Sequence, residues 1–66
     1  MVLYKDGDYF IIRKNRVGAY DSVISIIDMR NLRMSGDMYI ETDRIIITKK
    51  GLDYLMSKQY NIKVVE

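Results

Sequence analysis

Basic residues that could contact phosphate groups occur in three short groups along the chain. The groups are Arg13, Lys14 and Arg16, then Arg30 and Arg33, and finally Lys49 and Lys50. A protein that binds nucleic acid needs several cations on one surface, because each neutralised phosphate releases condensed counterions. We therefore take these residues as the candidate nucleic-acid-binding site.

Two other features are compatible with a polyanionic partner. Lys49 and Lys50 lie near the start of a predicted helix, where free N–H groups and the helix dipole favour an anion. Bases could stack on exposed tyrosines, and the candidates are Tyr9, Tyr20, Tyr39 and Tyr54. The net charge is only +2, because nine acidic residues are interspersed with eleven basic ones. A solvated surface of mixed sign is therefore the alternative interpretation.

The residue types needed for common enzyme chemistry are missing. The chain has no His and no Cys, which removes the usual general base near neutral pH and the usual zinc ligands. Its serines have no His to activate them, and its four glycines are scattered rather than grouped in a phosphate-binding loop. We predict that the protein is not an enzyme and has no cofactor.

Two acidic pairs, Asp6 with Asp8 and Glu41 with Asp43, each flank a single residue. Such carboxylates could hold a divalent cation or act as an acid and a base. Asp is also favoured in turns, because its side chain hydrogen-bonds to the nearby backbone. Ca²⁺ takes at least six oxygen ligands, which neither pair supplies. We interpret both pairs as turn residues and predict no metal site.

One resemblance concerns the middle of the chain. The segment Asp21–Asn31, with the sequence DSVISIIDMRN, resembles the strand motif of the small Rem-type matrix regulators, in which an acid leads into alternating Ile and a following Asp. Gly7-Asp8-Tyr9 is similar to the N-terminal hairpin of that family, and Arg44–Thr48 looks like its later strand. Members of the family are DNA-binding oligomers, so the resemblance implies DNA binding and self-assembly.

A second resemblance concerns the C-terminal half. The segment Ile47–Leu55, with the sequence ITKKGLDYL, is similar to the join between the wing and the last helix of winged-helix regulators. This resemblance also implies a DNA-binding protein.

Local patterns predict one α+β domain over residues 1–66, with two β-hairpins, one C-terminal helix and a short final strand. The dipeptide Asp6-Gly7 is a type I′ turn signal between strands at residues 1–5 and 8–14. A second hairpin is expected from strands at residues 37–41 and 44–48, with Thr42-Asp43 as its turn.

The C-terminal helix has the clearest periodicity. One stripe of a helix is formed by Leu52, Leu55, Met56 and Tyr60. Thr48 is the expected N-cap and Asn61 marks the end, so the helix is predicted over residues 48–60, before a strand at 62–65. We expect the first three residues of the stripe to be buried against the sheet, on side chains such as Phe10, Ile12, Ile45 and Ile47.

The segment 20–33 fits two structures. As a helix it would place Tyr20, Val23, Ile24 and Ile27 on one face. Its run of β-branched residues, however, suits a pleated surface. We favour a strand, with the helix as the open alternative.

A chain this short hides only about 60% of the surface that its unfolded form exposes. The apolar runs Tyr9–Ile12 and Ile45–Ile47 would put apolar groups on both faces of their strands, and one small core covers only one face. We therefore expect a homo-oligomer. The alternative function is a small protein-interaction or inhibitor module, for instance phage-encoded, that uses a strand edge or a Tyr- and Met-rich surface.

The sequence also bears on location. Charged Lys5, Asp6 and Asp8 occupy the region where a signal peptide needs an apolar core, and no apolar run approaches the ~18 residues of a membrane span. The lack of Cys fits a reducing compartment. We expect a cytoplasmic protein that does not bind a membrane, encoded by a cell, a virus or a mobile element.

Overall fold

A computed structural model describes all residues, Met1–Glu66. Its elements are β1 (Val2–Asp6), β2 (Tyr9–Arg13), α1 (Ile26–Met34), β3 (Met38–Ile40), β4 (Arg44–Thr48), α2 (Lys49–Ser57) and β5 (Lys63–Val65). The five strands form one sheet in the order β3-β4-β2-β1-β5. All neighbours are antiparallel except β5, which pairs in parallel with β1. The α+β fold class expected from the sequence is confirmed.

The turn of the first hairpin differs from the prediction. Asp6 pairs with Tyr9, so Gly7 and Asp8 are the central residues. Gly7 has a φ of 61°, whereas Asp8 is not among the residues with positive φ. A type I′ turn needs positive φ at both central positions, so that prediction is wrong. Positive φ at the first position alone, with Gly there, is typical of a type II′ turn.

The second hairpin has the predicted turn. The N–H of Glu41 donates to the carbonyl oxygen of Arg44 at 2.9 Å, which leaves Thr42 and Asp43 as the central residues. Both are exposed. The strands that flank this turn are β3 and β4, close to their expected ranges.

Residues 26–34 form helix α1, so the predicted strand in segment 20–33 is wrong. The Ser25 hydroxyl caps the helix by accepting from the Asp28 N–H at 3.2 Å and donating to the Asp28 carboxylate at 2.8 Å. At the other end Gly36 has a φ of 79°, and the N–H of Asp37 donates to the Leu32 carbonyl at 2.8 Å. This is a Schellman motif. Caps at both ends outweigh the strand propensity of the β-branched residues.

A hydrogen-bond cluster ties α1 to the C-terminal half. The Asp28 carboxylate accepts from the hydroxyl of Tyr60 at 2.7 Å and from the hydroxyl of Tyr54 at 3.0 Å. Hydrogen bonds from Tyr60, Ser25 and Tyr54 lower the pKa of Asp28, because each stabilises the ionised carboxylate. The cluster therefore favours α1 over the alternative strand.

Helix α2 begins as predicted and ends early. The Thr48 hydroxyl caps it by accepting from the Gly51 N–H at 3.1 Å. The helix ends at Ser57 rather than Tyr60, because Gln59 has a left-handed φ of 67° and turns the chain away. Met56 is 52% exposed, so its predicted burial is wrong.

The core lies between the helices and one face of the sheet. It contains Leu3, Phe10, Ile12, Ile24, Leu32, Met38, Ile45, Ile47, Leu52 and Leu55. The predicted packing of Leu52 and Leu55 against strands β2 and β4 is confirmed. Because α1 and α2 both pack on this face, the opposite face of the sheet carries no helix. Neither helix is long and apolar enough to cross a membrane.

Candidate nucleic-acid interface

The strand register arranges side chains in rows across the uncovered face. One row crosses all five strands and consists of Tyr39, Ile46, Ile11, Tyr4 and Val65. Successive side chains in a strand point to opposite faces, so this row lies behind the core residues. Ile11 in the middle is 7% exposed, whereas Tyr39 is 52% exposed and Tyr9, two residues before Ile11, is 48% exposed. The face therefore presents aromatic rings around an apolar centre.

A cleft of about 650 Å³ opens at one end of this face. Its basic lining residues are Lys5, Arg13, Lys14, Arg16 and Arg44, and its acidic ones are Asp6 and Asp43. Lys5 pairs with the core residue Phe10, so its side chain points to the covered face of the sheet. The first basic group predicted from the sequence therefore lies together, and Arg44 is a further cation that the sequence reasoning missed. Arg44 joins the group because β4 pairs with β2 and places it opposite Arg13.

Carboxylates compensate the charge of Arg44. Its Nε donates to Glu41 Oε1 at 2.8 Å, and its Nη1 lies 3.8 Å from Asp6 Oδ2. The hydrogen bond and the charge of Glu41 raise the pKa of Arg44. Glu41 and Asp6 therefore form ion pairs with Arg44, whereas Asp43 has no cation within 4 Å. The structure contains no cluster of three or more acidic residues that could hold a metal.

The remaining cations of the cleft have no carboxylate partner, apart from Lys5, which lies 3.6 Å from Glu66. Arg13 places its guanidinium carbon 3.7 Å from the centroid of the Tyr4 ring. Lys14 Nζ donates to the carbonyl oxygen of Thr42 at 2.6 Å. Planar guanidinium groups bind phosphate oxygens in a bidentate manner and stack on aromatic faces, so Arg13 can do both.

A tight loop after β2 presents Arg16. Asn15 Oδ1 accepts from the N–H groups of Val17 and Ala19, both at 3.0 Å. The Asn15 N–H donates to the Ala19 carbonyl at 2.7 Å, and Gly18 adopts a φ of 84°. The Asn15 side chain therefore replaces a backbone partner and orders the loop that carries the cation.

The other two predicted basic groups lie elsewhere. Arg30 and Arg33 are exposed on α1, while Lys49 and Lys50 begin α2. Lys49 is paired with Asp53 at 2.9 Å. Both helices pack on the covered face of the sheet, so the structure does not bring all the predicted residues together.

The predicted tyrosines also divide. Tyr9 and Tyr39 are exposed on the uncovered face, but Tyr20 and Tyr54 are half-buried. Tyr4 was missed by the sequence reasoning. The hairpin register pairs it with Ile11, and that alternation is the signal that could have found it.

Helix α1 and the segment before it expose apolar side chains. Val23, Ile26, Ile27 and Met34 are each at least 73% exposed. Large apolar patches on small proteins mark interaction sites, so this surface is a second candidate site.

Comparison with known proteins leaves the chain without a family assignment. No protein-family description, curated protein or solved structure matches it.

Proposed function

We propose that the protein is a small, non-catalytic regulator that binds nucleic acid through the uncovered face of its sheet. One observation carries this proposal: Arg13 and Arg16, which have no carboxylate partner, line a cleft where Arg13 lies over the half-buried Tyr4 ring, and Tyr9 and Tyr39 are exposed elsewhere on the same helix-free face. Cations supply affinity through phosphate contacts, while aromatic rings supply stacking surfaces for bases. This combination fits nucleic acid better than a polyanion without bases.

The two sequence resemblances support the same class of partner. Asp21–Asn31 resembles a strand motif of DNA-binding Rem-type regulators, although its residues 26–31 are helical in this structure. Ile47–Leu55 is similar to a segment of winged-helix regulators. The first resemblance also covers Gly7-Asp8-Tyr9 and Arg44–Thr48, so it shares Tyr9 and the cleft residue Arg44 with the proposed site, whereas the second lies outside the cleft.

The test is a fluorescence anisotropy titration against random-sequence DNA, in duplex and single-stranded form, at low and higher salt. We expect binding at low salt that weakens as salt rises. In the variant R13A/R16A, the slope of log affinity against log salt concentration should decrease in magnitude by about two, one for each lost phosphate contact. The matched variant K49A/K50A removes the same formal charge from α2 and should change the salt dependence little. Undetectable binding at low salt would contradict the proposal.

A second candidate function, protein binding, is favoured by the exposed apolar surface of α1. We propose that a second copy of the chain covers it, because a chain of 66 residues builds only a small core and gains stability from a partner. This places the contact on α1, whereas the sequence reasoning expected it on the sheet.

Ile26→Asp tests this contact. Ile26 is the first residue of α1, where the helix dipole stabilises an acidic side chain. The change therefore alters the surface without weakening the helix. Sedimentation velocity should show a dimer or larger oligomer for the wild type and a monomer for I26D. A monomeric wild type would contradict this contact between copies and favour a different protein as the partner, as in the inhibitor alternative.

A further inference from the structure

We infer that the nucleic acid bound by this face is single-stranded and lies across the strands, with bases stacked on Tyr9, Tyr39 and the Tyr4–Arg13 pair. The inference rests on the proposed function and names its substrate class. Tyr4 and Tyr39 belong to one row, with strands β2 and β4 between them. Three strand spacings of about 4.8 Å separate them by about 14 Å. The face thus offers two separate stacking positions along this row, and Tyr9 lies two residues from the row along β2.

The face is too wide to enter the major groove of an undistorted duplex. Four spacings of about 4.8 Å make a five-stranded sheet about 19 Å wide, whereas the major groove of B-DNA is about 12 Å wide. Tyr9 and Tyr39 lie within strands of this sheet rather than on a protruding helix. They therefore do not reach bases inside an undistorted major groove.

Stacking itself requires unpaired bases. In a duplex each base face is covered by its neighbours, whereas splayed single-stranded bases stack on aromatic rings and on guanidinium planes. The Arg13 guanidinium already lies on Tyr4, so the pair extends the aromatic surface with a cationic plane.

The unpaired cations indicate where the phosphate backbone of the bound strand lies. The cations without a carboxylate partner, Arg13, Lys14 and Arg16, line the cleft at one end of the face. Asp6 and Glu41 are engaged by Arg44, which reduces their repulsion of phosphate. The backbone of the strand therefore follows the cleft, with its bases directed towards the tyrosines.

The experiment compares four probes of equal length, about ten nucleotides, within the range that single-strand-binding folds cover. The probes are oligothymidine, oligouridine, an abasic strand with the same phosphates, and a duplex. Each is titrated by anisotropy at one salt concentration. We expect the two base-containing single strands to bind at least about tenfold more tightly than the abasic strand and the duplex, because each stacked base adds binding free energy.

Two variants test the aromatic contact. Tyr39→Leu should weaken single-strand binding by about tenfold, while Tyr39→Phe, which keeps the ring, should stay within about twofold. Equal binding of the abasic strand, or tighter binding of the duplex, would overturn this inference and leave the proposed function standing. Failure to bind any of the four probes would instead remove the proposed function.

Discussion

The guanidinium of Arg13 lies over the ring of Tyr4, 3.7 Å from its centroid, and joins a cation to an aromatic plane on the uncovered face of the sheet. Cation–π pairs of this kind fix the direction of a long side chain. The pair stands beside Ile11 and the cleft that contains Arg16. It therefore connects the stacking surface with the phosphate-binding surface.

Substitution of Arg13 should separate its two roles. Arg13→Lys keeps the charge but loses the planar fork, so affinity for single strands should fall while the salt dependence stays unchanged. Arg13→Ala loses both the charge and the planar group, so the slope of log affinity against log salt concentration should decrease in magnitude by about one. Anisotropy titrations at several salt concentrations measure both quantities. Lys58→Ala, at the end of α2, is the control, and an equal effect there would indicate a non-specific charge effect.

Substitution of Asn15 should loosen the loop that presents Arg16. Asn15→Ala removes the acceptor of the Val17 and Ala19 N–H groups. We expect a loss of about 1 kcal/mol in the free energy of unfolding, measured by urea denaturation, and faster hydrogen exchange at these two amides. Asn15→Asp keeps an acceptor oxygen and should retain their protection. Unchanged exchange in Asn15→Ala would show that the side chain does not order the loop.

Substitution of Gly51 should destabilise the protein although Ala is the better helix former. Gly51 is buried where α2 meets β4, and an added Cβ would lie 2.7 Å from Ile47 Cγ2 and 2.8 Å from the Asp37 carbonyl oxygen. Propensity favours Ala by about 1 kcal/mol, but overpacking costs about 1–3 kcal/mol and the backbone oxygen cannot easily move. Urea denaturation of Gly51→Ala should give a lower free energy of unfolding. A more stable variant would show that the contact relaxes.

Acid should weaken the attachment of α1. The pKa of Asp28 is lowered by hydrogen bonds from Tyr60, Ser25 and Tyr54, so its ionised form contributes stability above the unfolded pKa of about 3.9. That contribution is lost as the pH falls through the lower folded pKa. Asp28→Asn should therefore show a smaller loss of stability between neutral and acidic pH.

Urea denaturation at a series of pH values measures this effect. A residual pH dependence is expected in Asp28→Asn, because hydrogen bonds from Thr48 and Ser35 also lower the pKa of Asp37. Identical pH profiles for wild type and variant would contradict the role of the cluster.

Local signals were sufficient to place the second hairpin and the start of α2, and they placed the first hairpin but not its turn type. Thr42-Asp43 forms the predicted turn, and Thr48 caps the predicted helix. Helix α1 was only the alternative prediction, because its β-branched residues favoured a strand, although Ile26 and Ile27 lie in solvent. The pattern Ser25-x-x-Asp28 is a helix-capping signal and would have corrected the assignment.

The site depended on contacts between distant residues. Arg13, Lys14 and Arg16 were found together because they are adjacent in sequence. Arg44 joins them only through the pairing of β2 with β4, which no local pattern specifies. The same limit applies to the row of tyrosines, since it follows from the order of the strands.

The most direct test of nucleic-acid binding by the uncovered face is a titration of ¹⁵N-labelled protein with a single-stranded oligonucleotide, followed by amide chemical shifts. We expect small changes in amide chemical shift in α1 and at the start of α2, and the largest changes at Tyr4, Tyr9, Arg13, Arg16 and Tyr39. Changes confined to α1 or to Lys49 and Lys50, with the sheet unaffected, would contradict this expectation.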